Sequence, residues 1–375
     1  MDNYVHIPRR RSWPIYAAVI GLAALAILWS FLWFRAATVA QETLKGWFDR
    51  EAKAGRIYEC GSQSIAGFPF RIELRCNPAA MEWRSGQPTV YLKTTELLVA
   101  AQVYQPTLLT SEFTGPLTMG APSGPADFIA DWKSLQTSVR GGPAMPEQAS
   151  ITIDRPSFDR VTPSGQDTLF RATRAEVQGR IVEGSAASNP VIDLMLQLTG
   201  ATAPTINPLT AQPFDADITF VLRGLKDFSP KPWPERFREI QAAGGRIDIG
   251  RARAQQGESI VLATGSLGLT PNGHLDGQLL VTVAGLERLL PALGLERLAA
   301  PGGSVDKLAG KLDKLIPGLG NIARENAGPT IAAGAALLGE QTQLEGRRAV
   351  ILPLRFDNGA MFLGAVPLGQ VSPLF

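Results

Sequence analysis

The 375 residues carry 36 Lys and Arg against 34 Asp and Glu, a formal charge of +2 spread through mixed-sign segments. With no basic stripe, nucleic acid is excluded as a natural partner. Hydrophobic residues make up 45% of the chain, too many for disorder, and 38 Gly with 28 Pro demand many turns, a combination that predicts many short strands.

In chain order, Ser12 to Phe34 is a run of 23 residues without a charged side chain, preceded by Arg9-Arg10-Arg11. At about 1.5 Å per residue it is long enough to cross a hydrocarbon core of roughly 30 Å as a helix. The cationic flank predicts that residues 1–11 stay cytoplasmic, that 12–34 span the inner membrane once, and that the bulk of the chain is periplasmic. Thr38-Val39-Ala40 is a passable cleavage exit. However, signal h-regions run only about 7 to 15 residues, and Trp13, Trp29 and Trp33 lie near the two interfaces, so a retained anchor is the better reading. Arg-Arg-Arg-Ser also brushes against a twin-arginine export signal, but nothing after it resembles a cofactor domain needing folded export.

Residues 35–56 read as a helix continuing out of the span, with Val39, Leu44, Trp47 and Phe48 as apolar points and Gly55 as its stop. The two cysteines, Cys60 and Cys76, flank a turn at Gly67-Phe68-Pro69-Phe70. A hairpin centred on Phe68 sets Cys60 opposite Cys76 and predicts a disulfide, which an oxidising compartment permits. Metal or redox roles need more ligands or a close Cys-x-x-Cys pair.

From residue 57 to 285 the pattern is that of an antiparallel β ectodomain. Leu97, Val99, Ala101 and Val103 follow Val90 and Leu92 with a change of parity, predicting a bulge near Thr95-Glu96. Ile192, Leu194, Leu196 and Leu198 alternate with polar neighbours, as do Phe214, Ala216, Ile218, Phe220 and Leu222, and then Leu275, Leu279, Val281 and Val283. One wet and one dry face is the signature of antiparallel sheet. Helical spacing predicts short covering helices at Pro125 to Ser138 and Pro234 to Ala243. Glycines in the hairpin from Gly265 to Leu279 admit close approach of a backbone or ligand, or mark a bend. Residues 286–340 read as an amphipathic helical segment, in which Ser304 to Leu315 sets Val305, Leu308, Leu312 and Leu315 on one stripe. Lys307, Lys311 and Lys314 give that stripe a membrane-surface reading, but Asp306 and Asp313 dilute the charge and burial against the sheet is favoured. Residues 341–375 form a closing hairpin and tail, turning at Asp357-Asn358-Gly359. The fold expectation is therefore β-dominated α+β: an N-terminal transmembrane helix, then a large curved antiparallel sheet with short covering helices.

The anchor, the Gly67-Phe68-Pro69-Phe70-Arg71 hairpin between paired cysteines, and the C-terminal Phe362-Leu363-Gly364 with Pro367-Leu368-Gly369 carry a resemblance. The chain resembles the bacterial domain of unknown function family 2125, membrane-anchored envelope proteins of alphaproteobacteria, over essentially everything after the anchor. More distantly it is similar to envelope proteins related to the AsmA assembly protein, whose long curved sheets are implicated in handling lipids. The nearer family has no established activity, so the resemblance implies location and fold more than mechanism.

Catalysis finds little support. His6 falls on the cytoplasmic side, and His274 stands alone beside Asp276 on a polar strand face. Ser304 with Lys307 matches Ser-x-x-Lys, but its partner motifs are missing and it reads as a helix N-cap. Asp215 and Asp217 share a strand face, as period-two spacing requires of any exposed strand, so a glycosidase pair is not implied. The expectation is a non-enzyme without cofactor or metal. Its functional element is a sheet face that covering helices either close into a core or leave open as an apolar groove lined by Leu194, Leu196, Phe214, Ile218, Phe220, Leu279 and Val281. The partners expected are the inner membrane and a lipid or other hydrophobic envelope component. The alternative is an assembly or scaffold protein that docks an envelope protein without a lipid ligand.

Overall fold

The structure is a computed structural model that describes residues 13–86, 88–141, 146–206, 209–229, 231–286, 339–363 and 366–375. Helix α1 (Trp13–Lys53) is one unbroken element of 41 residues. Its first half is long and apolar enough to cross a membrane, with a mean hydropathy of 2.3 and none of that stretch buried. Its second half is amphipathic: Trp33 and Ala37 are buried, and Ala40, Leu44 and Trp47 half-buried, at the spacing of one helix stripe. Val39, expected on that stripe, is exposed, because it falls outside the i, i+4, i+7 rows. Gly55, at φ +80°, ends the helix as a left-handed cap.

The strands are β1 (Arg56–Ala66), β2 (Arg71–Trp83), β3 (Val90–Gln102), β4 (Gln105–Gly120), β5 (Ala126–Asp131), β6 (Ser134–Arg140), β7 (Gln148–Asp154), β8 (Ser157–Thr162), β9 (Gly165–Arg171), β10 (Arg174–Ser185), β11 (Ser188–Ala201), β12 (Phe214–Leu222), β13 (Arg246–Gln256), β14 (Ser259–Leu269), β15 (Leu275–Ala284), β16 (Glu340–Leu344), β17 (Arg347–Asp357), β18 (Ala360–Leu363) and β19 (Val366–Gln370). All belong to one antiparallel sheet. Its spine runs β1-β2-β3-β4-β6-β7-β10-β11-β12-β13-β14-β15-β17. A branch β5-β8-β9 leaves from the far half of β4, with Phe128 and Phe158 stacked at 5.3 Å between centroids. Helix α2 (Trp233–Ala242) interrupts the chain between β12 and β13 and buries Ile240.

The structure bears out the bulge expected near Thr95-Glu96, where the β3-β4 register shifts between Thr94 and Glu96. The helix expected at Pro125 to Ser138 is instead the two strands β5 and β6. Phe128, Ile129, Trp132 and Leu135 mimic helical spacing because two alternating runs, Phe128 with Ala130 and Leu135 with Val139, flank a short turn at Trp132-Lys133. Trp132 marks the split of the sheet, its indole N–H donating to the Phe113 carbonyl at 2.8 Å.

The disulfide Cys60–Cys76 is present, with Cα atoms 5.3 Å apart, yet the hairpin register differs from the expected one. Ala66 faces Glu73, and Gln63, not Cys60, is paired with Cys76. The turn closes through the Arg71 N–H on the Gly67 carbonyl, which moves the centre of the hairpin beyond Phe68. A regular ladder offset by three residues would hold the two Cα atoms about 10 Å apart. The strands depart from regularity at Gly61 and Pro78, a position absent from the pairing. The segment Ser304 to Leu315, like almost all of the 286–340 expectation, lies outside the described residues.

Candidate functional site

Inter-strand pairing aligns mostly apolar residues into three rows on one face of the sheet, the middle one interrupted by Ser111 and Thr137. The middle row runs Ile65, Leu74, Val99, Ser111, Thr137, Ile151, Val177, Leu196, Ile218, Ala252, Ala263, Val281, Leu352, one residue from each of the thirteen spine strands. On one side lies Cys76, Leu97, Phe113, Leu135, Ile153, Ala175, Leu198, Ala216, Ala254, Val261, Val283, Val350. On the other lies Ile72, Ala101, Leu109, Val139, Ala149, Gly179, Leu194, Phe220, Ile249, Gly265, Leu279, Leu354. At about 4.8 Å per strand the rows extend roughly 60 Å along the sheet, and at about 3.3 Å per residue they cover a band about 13 Å wide. A register shift between Ile249 and Ala252 in β13 keeps the band on one face, because the extra residue restores parity.

The band is graded in burial. At its β14–β17 end, Val283, Leu286 and Leu352 form a buried cluster. In the middle, Ile151 is 40% and Val177 36% exposed. With residues 125–138 folded into the sheet itself, one of the covers expected for the face does not exist. Leu196, Ile218 and Val281 sit on the middle row and Leu194, Phe220 and Leu279 on the row that begins at Ile72, and Phe214 extends the same face opposite Ala201; all seven are half-buried. The residues missed in the sequence are those of β6, β7 and β10, where Ala149, Ile151 and Ile153, and Ala175, Val177 and Gly179, do alternate. Their small side chains and short strands weaken the signal.

The reverse face carries a buried apolar cluster of Ile260, Ala284 and Ala349 at its β14–β17 end, and between β7 and β13 it is ion-paired. Arg180 meets Asp193 at 2.8 Å, Arg174 meets Asp154 at 2.8 Å, and Arg253 meets Glu345 at 2.8 Å. Pairs this exposed contribute little stability, but they make the two faces chemically opposite. A polar pocket of about 490 Å³ on this face is lined by Arg246, Ser266, Asp276, Gln278, Arg355 and Asp357. Arg246 donates to the Ser266 hydroxyl at 2.9 Å, and that hydroxyl donates to Asp248 at 2.7 Å.

The carboxylates considered for catalysis have structural partners: Asp215 accepts the Gly200 N–H at 2.7 Å, and Asp217 accepts from Gln197 at 3.4 Å. His274 lies in the β14-β15 turn, not on a strand face, half-buried with Nδ1 3.3 Å from the Val371 carbonyl. Among the described residues no three His, Cys, Asp or Glu side chains converge to hold a metal.

The band starts at the membrane helix. Strand β1 runs antiparallel to α1, Tyr58 stacking with Phe48 and lying 4.7 Å from Trp47. At the other end of the strand the signature hairpin docks on the span. The Trp29 indole N–H donates to the Pro69 carbonyl at 3.0 Å and the Trp33 N–H to the Arg71 carbonyl at 3.0 Å. Phe68 packs edge-on against Trp33 at 5.5 Å and stacks on Phe34 at 6.3 Å. Ile65 and Ile72, first in two of the rows, flank this turn.

No curated protein and no solved structure matches the chain. The model of one family, an uncharacterised protein conserved in bacteria, matches residues 33–372, which covers the hairpin, all three rows and the closing strands, and the chain therefore belongs to the DUF2125 family.

Proposed function

We propose that this protein is a non-catalytic component of the cell envelope, held in the inner membrane by α1 with its N-terminus cytoplasmic and its sheet periplasmic, and that its apolar band binds acyl chains of a lipid or another hydrophobic envelope component. The observation that carries this reading is the half-exposed stretch of the three rows between β6 and β12. Soluble monomers rarely leave contiguous apolar surface larger than a few hundred Å² without a use for it. Each buried methylene contributes about 0.8 kcal/mol before ordering costs, so a docked chain is held by area alone and needs no acid, base or metal. Arg9-Arg10-Arg11 ahead of the span and the Cys60–Cys76 bridge behind it support the orientation. Contacts of Trp29 and Trp33 with the folded sheet support a retained anchor.

Extraction in mild detergent followed by mass spectrometry of bound lipid tests the reading. Stoichiometric co-purifying lipid that falls several-fold in Val177→Asp or Leu196→Asp is the expected result; lipid-free protein, or lipid unaffected by either substitution, removes it. A second reading, an assembly or scaffold protein, is favoured by β9. Apart from the bridge between Arg171 and Thr202, that strand pairs only with β8 among the described residues, which leaves an edge to accept a partner strand. Crosslinking in cells that traps one reproducible protein partner irrespective of Val177→Asp would favour it.

A further inference from the structure

The signature hairpin carries exposed aromatic rings at a height fixed by the helix it docks on. Phe68 is 52% and Phe70 65% exposed, and the neighbouring β3-β4 turn adds Tyr104 at 74%. The two turns are tied together by the Val103 N–H on the Phe70 carbonyl at 2.9 Å. The span's first charged residue on the exit side is Arg35. Trp29, whose indole holds the Pro69 carbonyl, lies six residues before it, which is about 9 Å toward the membrane centre along a helix. The turn is therefore held at the depth where the apolar part of the bilayer meets its headgroups, the depth at which amphipathic aromatic rings are enriched. Water at that depth is scarce, and rings left exposed on the protein have lipid as their surroundings.

We propose that Phe68, Phe70 and Tyr104 form an aromatic foot that inserts into the bilayer leaflet from which α1 emerges, so that β1–β4 stand on the membrane and do not swing from a tether. The hydrogen bonds from Trp29 and Trp33 set the depth, the rings supply apolar area, and Arg71 at the base of the turn remains beside the headgroups. This inference rests on the anchor and the hairpin, and holds whether or not the sheet face binds lipid.

Photo-crosslinking in the full chain, reconstituted into phosphatidylethanolamine and phosphatidylglycerol vesicles, reads it directly. A p-benzoylphenylalanine is placed in separate proteins at position 70, at 104, at 20 within the span, and at 206. Ile206, 76% exposed, lies in the β11-β12 connection at the opposite end of the strands. Retention of the Cys60–Cys76 bridge on a non-reducing gel checks folding of each variant. Lipid adducts at 20, 70 and 104 at least tenfold above those at 206 are expected. Adducts at 20 with 70 and 104 no higher than 206 overturn the proposal, as does labelling of 206 equal to that of 70, which would mean general adsorption. Phe70→Ser combined with Tyr104→Ser is expected to leave the bridge intact while removing the protection of turn 67–71 from hydrogen exchange that vesicles confer. Equal protection in this variant and the parent also overturns it.

Discussion

At the scale of single residues, two features carry the local geometry. The Cys60–Cys76 bridge closes a loop with a sequence separation of 16, for which loop-closure arithmetic gives about 3 kcal/mol of stabilisation. Cys76→Ser is expected to lower the unfolding free energy of the protein by about that amount in chemical denaturation, and an unchanged value would mean that the α1 contacts alone hold the hairpin. The spacing of the cysteines made the bridge legible in the sequence, but not the register: the turn was centred on Phe68, and the Arg71 N–H on the Gly67 carbonyl moved it. Gly265 answers the question posed by glycines inside strands. It sits at φ +147°, and a Cβ there would collide with the Gln278 carbonyl of the paired strand, so it serves a bend and a close strand approach. Gly265→Ala is expected to cost about 1–3 kcal/mol in chemical denaturation, the usual magnitude for a residue forced into a sparsely populated backbone region.

At the scale of elements, the segment around α2 is held by charge more than by packing. Glu239 accepts from Lys231 at 2.5 Å, from the Lys226 N–H at 2.6 Å and from Arg236 at 2.8 Å. The Ser229 hydroxyl above all, with the Ser229 N–H and Lys231, holds Asp227 down to about 2 against the opposing effect of burial. Burial alone would raise Glu239, but its donors outweigh it and leave the carboxyl below its ordinary value. Both folded carboxylates titrate below their unfolded range, so their stabilisation is complete above about pH 4.5 and is lost as pH falls toward 2. The hydrogen-exchange protection of the segment around α2, relative to intrinsic rates at each pH, is expected to fall over that window before that of the spine strands; simultaneous loss of both would contradict the assignment. The elements also show where periodicity misleads. Long alternating runs such as Phe214 to Leu222 were legible as strands, while residues 125–138 read as helix because two strands of six and seven residues meet at Trp132. A helical and a broken period-two pattern are indistinguishable over that length.

At the scale of the whole molecule, the sheet joins two properties that no single strand displays. Its reverse face is ion-paired between β7 and β13, and its apolar band runs from the docked hairpin at the membrane to the buried cluster around Val283 and Leu352. The half of the band from β11 to β15 was legible because Leu, Ile, Phe and Val dominate there. The half from β1 to β10 was legible only in part: Leu97, Val99 and Ala101 of β3 alternate visibly, whereas the rows through β6, β7 and β10 depend on pairing between strands far apart in the chain, such as β7 with β10 across the β8-β9 branch. The same pairing places Ile151 and Val177, the most exposed members of the middle row, side by side. A charge introduced there should interrupt the band without disturbing a core: Val177→Asp is expected to leave the unfolding free energy within about 1 kcal/mol of the parent, as surface substitutions do, while abolishing lipid retention. A large loss of stability would instead mean that the face is covered.

Crosslinking from a lipid with a photoactivatable acyl chain, followed by peptide mapping of the full-length protein in its membrane, tests that claim most directly. The account predicts adducts concentrated on the strands of the open stretch, at Ile151, Val177, Leu196 and Ile218, and absent from the reverse-face neighbours Gln178, Met195 and Thr219. Adducts confined to α1, or spread equally over both faces, would contradict it.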